Sequence, residues 1–192
     1  MSAIAELLSY AGERLLCVRI LALTVLVMLA AWLPQRLPMS FVSADDAVAA
    51  AAAWLLAAIL VAQCRLIDDL ADLPVDRVRH PARVLVRSRC RVPFVAAAAG
   101  LSVPALALLP EPSQWAWALL IAALLAWYRW RRPPDPNAPQ PDRVVLLKYP
   151  VFVLLIAGRI DSPGVWFAAL VLYLVLVAID EFDRPRAGMH PP

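Results

Sequence analysis

Residues 45 to 76 read DDAVAAAAAWLLAAILVAQCRLIDDLADLPVD, and this run decides the architecture. Its apolar part, about 45 to 66, is long enough to cross about 30 Å of hydrocarbon as a helix. It ends in Asp68, Asp69, Asp72 and Asp76, followed by Arg77, Arg79, His80, Pro81 and Arg83. Asp68, Asp72 and Asp76 recur every fourth residue, so on a continued helix their carboxylates share one face. Four carboxylates within nine residues repel one another unless cations hold them. A divalent ion carrying a diphosphate would satisfy that geometry.

Composition supports the same reading. The chain has 62% hydrophobic and 17% charged residues, with a mean hydropathy of +0.71, far too apolar for a soluble domain of 192 residues. We expect an all-α, polytopic helical bundle forming one membrane domain over 1–192. Six spans are expected at about 15–34, 45–66, 93–109, 113–130, 144–160 and 163–180. Pro104 and Pro150 should bend the third and fifth.

Lys and Arg are retained on the cytoplasmic side of membranes, so charge placement predicts orientation. Arg65, Arg77, Arg79, Arg83, Arg87, Arg89 and Arg91 cluster around one expected inner loop, 67–92. Arg129, Arg131, Arg132 and Arg143 cluster around the other, 131–143, whose prolines predict an extended connector. Arg14, Arg184 and Arg186 fall on the same side, whereas Arg36 and Arg159 mark the opposite turns. Both termini and the acidic run are therefore expected to be cytoplasmic, in a bacterial inner membrane. The net charge of +3 reflects this bias and not a nucleic-acid partner. Tryptophans near span ends, such as Trp115, Trp130 and Trp166, suit an interfacial belt.

Other features have structural readings. Ser43 is spaced to cap the second span with Asp46 three residues on. Ser162-Pro163 reads as a cap followed by proline in the first turn. Cys17, Cys64 and Cys90 cannot all pair and have no metal-ligand spacing. Neither His80 nor His190 has a ligand partner at useful spacing.

Asp68-x-x-x-Asp72-x-x-x-Asp76, placed just after the second span and followed by Pro81-x-Arg83, resembles the first aspartate-rich motif of the UbiA superfamily of intramembrane prenyltransferases. That family carries a second acidic motif after its sixth span, where this chain has Asp180-Glu181-Phe182-Asp183-Arg184. Asp180 and Asp183 are three apart where the family spaces its aspartates by four, and Pro74 should kink the first motif between Asp72 and Asp76. The chain also has fewer expected spans than family members commonly carry.

The resemblance implies an enzyme: Mg²⁺-dependent transfer of a prenyl group from a prenyl diphosphate to a lipophilic or aromatic acceptor. It implies Mg²⁺ ligation by Asp68, Asp69, Asp72, Asp76, Asp180 and Asp183, with Asp68, Asp72, Asp76 and Lys148 as the catalytic set. Arg65, Arg83, Tyr149, Asp180 and Asp183 would bind substrate. A second possibility is a non-catalytic protein of the same fold, acting as a lipid-binding or assembly subunit, either as a homo-oligomer or with a partner membrane subunit. The bland alternatives are also concrete: the aspartates could pair with Arg77, Arg79 and Arg83 in a solvated loop. Asp180, Glu181 and Asp183 could simply flank a helix end. Lys148, the single lysine, could snorkel to the interface. Arg65, one turn before Asp68, is placed to orient it by an ion pair.

Overall fold

The computed structural model describes residues 2–35, 44–130 and 143–183. Among them the chain is helical, with no strand. The helices are α1 (Ala3–Tyr10), α2 (Val18–Trp32), α3 (Ala44–Ala71), α4 (Leu73–Arg79), α5 (Val84–Arg87), α6 (Val92–Gly100), α7 (Ser102–Leu108), α8 (Glu111–Trp130), α9 (Arg143–Leu146), α10 (Lys148–Ala157) and α11 (Pro163–Asp183). A π-helical turn, Ala11–Leu15, follows α1, and a short 3₁₀ turn, Leu33–Gln35, follows α2. Ser43, Arg36, most of the proline-rich connector, Arg184, Arg186 and His190 lie outside the described residues.

All six expected segments are helical, but they are not equivalent. Three helices are long and apolar enough to cross a membrane: Val18–Gln35, Ala44–Ala71 and Pro163–Phe182. The third expected span is a shorter apolar stretch, Val92–Leu108, divided into α6 and α7. The fifth is divided into α9 and α10. Each break lies three residues before a proline, at Leu101 before Pro104 and at Leu147 before Pro150. A proline ring clashes with the carbonyl four residues back and has no N–H to give, so the preceding turn opens. Gln63 of α3 supports the first break by donating to the Ala98 carbonyl at 3.0 Å and to Ser102 Oγ at 2.8 Å.

At the centre, α2 packs against α3, α10 and α11, while α3 also packs against α6, α7 and α10. Val27, Ala31, Ala57, Leu60, Phe152, Val153 and Val165 form the heart of this core. The small residues on α2 and α3 let backbones approach, which drives helix association where lipid tails match side chains in polarity. Much of the outward surface is apolar instead, including Trp166, Phe167, Leu170 and Leu174 on α11. Such a surface suits hydrocarbon around it.

A second, smaller core contains Tyr10, Leu66, Ile67, Leu73, Leu85 and Phe94. The rings of Tyr10 and Phe94 meet edge to face, with centroids 5.6 Å apart. Within the expected inner loop, 67–92, α3 continues to Ala71, α4 follows after a break at Asp72, and α5 adds a further turn. Leu73 and Leu85 are buried, so the segment folds back onto the bundle to remove them from water.

Candidate functional site

One end of the bundle holds a cavity of about 360 Å³ built around the end of α3. Its charged lining comprises Asp68, Asp69, Asp72, Asp76 and Asp180 together with Arg14, Arg65, Arg79, Arg83 and Lys148. His80, Tyr128, Tyr149, Val75, Val145 and Leu146 complete the wall. Carboxylates and permanent cations are thus equal in number, and the cavity is not a purely acidic funnel.

Adjacent residues on an α-helix point about 100° apart. Asp68 and Asp69 therefore reach different neighbours, although both are buried. Asp68 faces α8 and α10, where Tyr128 donates its hydroxyl proton and Lys148 forms a buried ion pair with it. Lys148 is 2% exposed. It does not snorkel: the break at Leu147 makes it the first residue of α10, and its ammonium turns inward to Asp68. Its Nζ also lies 5.2 Å from the centroid of the Tyr149 ring, and Tyr149 in turn packs edge to face on Phe152.

Asp69 turns towards the N-terminal segment. Arg14 binds it through two nitrogens, at 2.9 and 2.7 Å, and the Tyr10 hydroxyl donates to it at 2.9 Å. Arg65 pairs with Asp69 at 3.0 Å from one turn back, and this corrects the expected Arg65–Asp68 pair. The four-residue spacing favours Asp69. Burial, followed by the charge of Asp69, raises the pKa of the Tyr10 phenol, which stays a neutral donor. For Arg14, burial opposes the charged form, but the hydrogen bond and charge of Asp69 outweigh it and the pKa is raised.

Asp72 stands at the break between α3 and α4. Its N–H donates to the Asp68 carbonyl at 2.8 Å, while its own carbonyl accepts from Val75 and Asp76 at 3.0 and 2.9 Å. The kink expected between Asp72 and Asp76 falls instead at Asp72 itself: Pro74 stands in the first turn of α4, where its missing N–H needs no partner, and the turn from Asp72 to Asp76 is helical. Asp76 is buried and pairs with Arg83 across the turn around Pro81. Asp180 of α11 lines the same cavity. The side chain of Asp183 lies outside the described residues. Between these two, Glu181 pairs with Arg143 and joins the end of α11 to the start of α9.

The structure therefore brings the first acidic run and Asp180 to one cavity, with Arg65, Arg83, Lys148 and Tyr149 also in its wall. Among the described residues, which leave out the side chain of Asp183, no three His, Cys, Asp or Glu side chains form a group that could hold a metal ion. Asp68, Asp69 and Asp76 give oxygens to Lys148, Arg14, Arg65 and Arg83.

Tyr10, Arg14, Arg79, His80 and Tyr128 also belong to the site and were not assigned to it from sequence. Tyr10, Arg14 and Tyr128 lie 59, 55 and 60 residues from their aspartate partners, beyond any local spacing rule. The clustering of arginines on one side was the available signal, and it identified a face and not a partner. In comparisons with known proteins, no family model, curated protein or solved structure matches the chain.

Proposed function

We propose that this chain is a UbiA-like integral membrane prenyltransferase that binds a prenyl diphosphate in the cavity at the end of α3. The observation that carries this reading is the meeting of Asp72 and Asp180, from separate acidic motifs, in one cavity lined by five cations. Orientation with this cavity on the cytoplasmic side of a bacterial inner membrane, and completion of a six-span bundle by α6–α10, belong to the same proposal.

Mg²⁺ commonly binds through one or two carboxylates and completes its shell with substrate phosphates and water, so a preformed cage of three carboxylates is not required. Asp72 and Asp180 fit that role by chemistry and placement. The ion would supply positive charge to the departing diphosphate. Arg79, Arg83 and His80 line the same wall and would hold the remaining phosphate oxygens by charge-assisted hydrogen bonds.

Asp68 fixes Lys148 and Tyr128, and Asp69 fixes Arg14 and Arg65, so these carboxylates orient the donors and do not themselves meet phosphate. During transfer, the C1–O bond of the prenyl diphosphate breaks with its electron pair leaving on diphosphate. The acceptor bonds to C1 and then loses a proton. Tyr149 lines the cavity, while Val145 and Leu146 would exclude water beside the reacting carbon.

The ion pairs on Asp68, Asp69 and Asp76 favour a second reading, in which the motif now joins helices in a non-catalytic lipid-binding or assembly subunit. Prenyl diphosphate binding in nanodiscs separates the two. Mg²⁺-dependent binding, lost in Asp72→Ala, is the expected result for the enzyme. No binding by a well-folded native sample removes the enzyme reading and leaves the subunit.

A further inference from the structure

Asp76 and Arg83 form an ion pair across the turn around Pro81, and both line the cavity at the end of α3. Asp76 is 7% exposed, so its carboxylate needs a cation close by. Arg83 is the more open partner, with 23% of its side chain exposed against 10% for that of Asp76. Its backbone is fixed on both sides. The Arg83 N–H donates to the His80 carbonyl at 3.1 Å, and the Arg83 carbonyl accepts from Val86 and Arg87 at 3.1 and 3.0 Å. The next N–H, that of Val84, donates to the Glu13 carboxylate at 3.1 Å. Any change of partner at Arg83 is therefore a motion of its side chain alone.

The reading of this cavity as a diphosphate site, on which the present inference rests, gives Arg83 two anions to serve. A guanidinium that lays its planar fork on phosphate oxygens gives up the carboxylate it held before. Asp76 would then be a buried charge without its partner, an unfavourable state. Arg14, in the same wall, already gives two bonds to Asp69. A divalent cation can take the place of Arg83. Asp76 stands one helical turn after Asp72, its N–H donating to the Asp72 carbonyl at 2.9 Å, and carboxylates at that spacing share a face.

We propose that Arg83 is a counter-ion switch: it covers Asp76 until a prenyl diphosphate draws it away, and Asp76 then passes to the metal beside Asp72. Metal and diphosphate each bind weakly alone, and each strengthens the other. Binding free energies are linked, so the strengthening factor is the same in both directions. A metal chelated by the diphosphate would also couple the two ligands. Chelation, however, gives Arg83 no influence on metal binding when diphosphate is absent. That influence is the signature of the switch.

The test uses the full chain in phosphatidylcholine nanodiscs. Mn²⁺ is the metal probe, read by the loss of its free signal in electron paramagnetic resonance, and farnesyl diphosphate is the anion, read by retention of radiolabel. In the native chain, farnesyl diphosphate should tighten Mn²⁺ binding by about tenfold or more. In Arg83→Gln, Mn²⁺ alone should bind about fivefold or more tightly than to the native chain, and the further tightening by farnesyl diphosphate should shrink. In Asp76→Asn, which frees Arg83, farnesyl diphosphate alone should bind more tightly than to the native chain. If Mn²⁺ alone binds Arg83→Gln no better than the native chain, as it would were Arg79 to take over Asp76, the switch is overturned while joint binding by the native chain keeps the diphosphate site. Absence of joint binding by a well-folded native chain overturns both. If the single variants do not fold, Asp76→Asn/Arg83→Gln, which strands no charge, decides: coupling weaker than native supports the switch, and coupling equal to native overturns it.

Discussion

Asp68 and Lys148 show how a single pair sets the character of the site. Both are buried, and neither charge could remain there alone, because removing one partner of a buried pair strands the other out of water. Lys148→Met should therefore lower stability by about 3–5 kcal/mol, read by denaturant or thermal unfolding in detergent. Adding Asp68→Asn to the same chain should recover much of the loss, since no uncompensated charge then remains. A Lys148→Met protein as stable as the native chain would show that the pair does not hold the helices together. Asp69 differs because it has two cations and a phenol, so its charge is shared. Loss of the phenol alone, in Tyr10→Phe, should cost about 1.5–3 kcal/mol, the range for a hydrogen bond to a charged group. A cost near zero by the same unfolding measurement would mean the two arginines suffice.

At the scale of elements, proline placement was legible in advance and its geometric consequence was not. Pro104 and Pro150 each announced a disturbed helix, and each helix is broken three residues earlier. What no periodicity could reveal is that the break at Leu147 turns Lys148 inward, since the direction depends on where Asp68 waits, 80 residues away. The first helix, α1, was missed because its eight residues are too short to span a membrane and follow no long apolar run. It is held by tertiary partners, Asp69, Ser88 and Phe94 among them. At the other end of the bundle, Gly158 closes α10 in the left-handed region, at φ 62°, where its N–H still reaches the Leu154 carbonyl. A Cβ there would lie 3.3 Å from Pro110 Cγ. Gly158→Ala should cost about 1–2 kcal/mol from the left-handed backbone alone, with the proline contact adding to it. An unchanged unfolding midpoint would show that the turn can relax.

For the whole molecule, the consequence to test is orientation. Cys90 is exposed beside the arginine-bearing segment, Cys64 is buried and Cys17 is half-buried. In a chain carrying Cys17→Ser, a membrane-impermeant maleimide should label Cys90 in inverted vesicles and leave it unlabelled in intact spheroplasts. The opposite pattern would place the acidic cavity outside and remove access to a cytoplasmic diphosphate.

Sequence alone determined the features that depend on local chemistry: the helical class, the apolar segments, the positions disturbed by proline and the collection of acids and arginines towards one side. These follow from hydropathy, backbone sterics and charge counted along the chain. Only the tertiary structure decided which charge meets which. Asp68 found Lys148, Asp69 found Arg14 and Asp76 found Arg83, while Asp72 and Asp180 came to share one cavity. The physical reason is that buried charges must be matched at short range, and short range here is created by helix packing between residues as many as 80 positions apart.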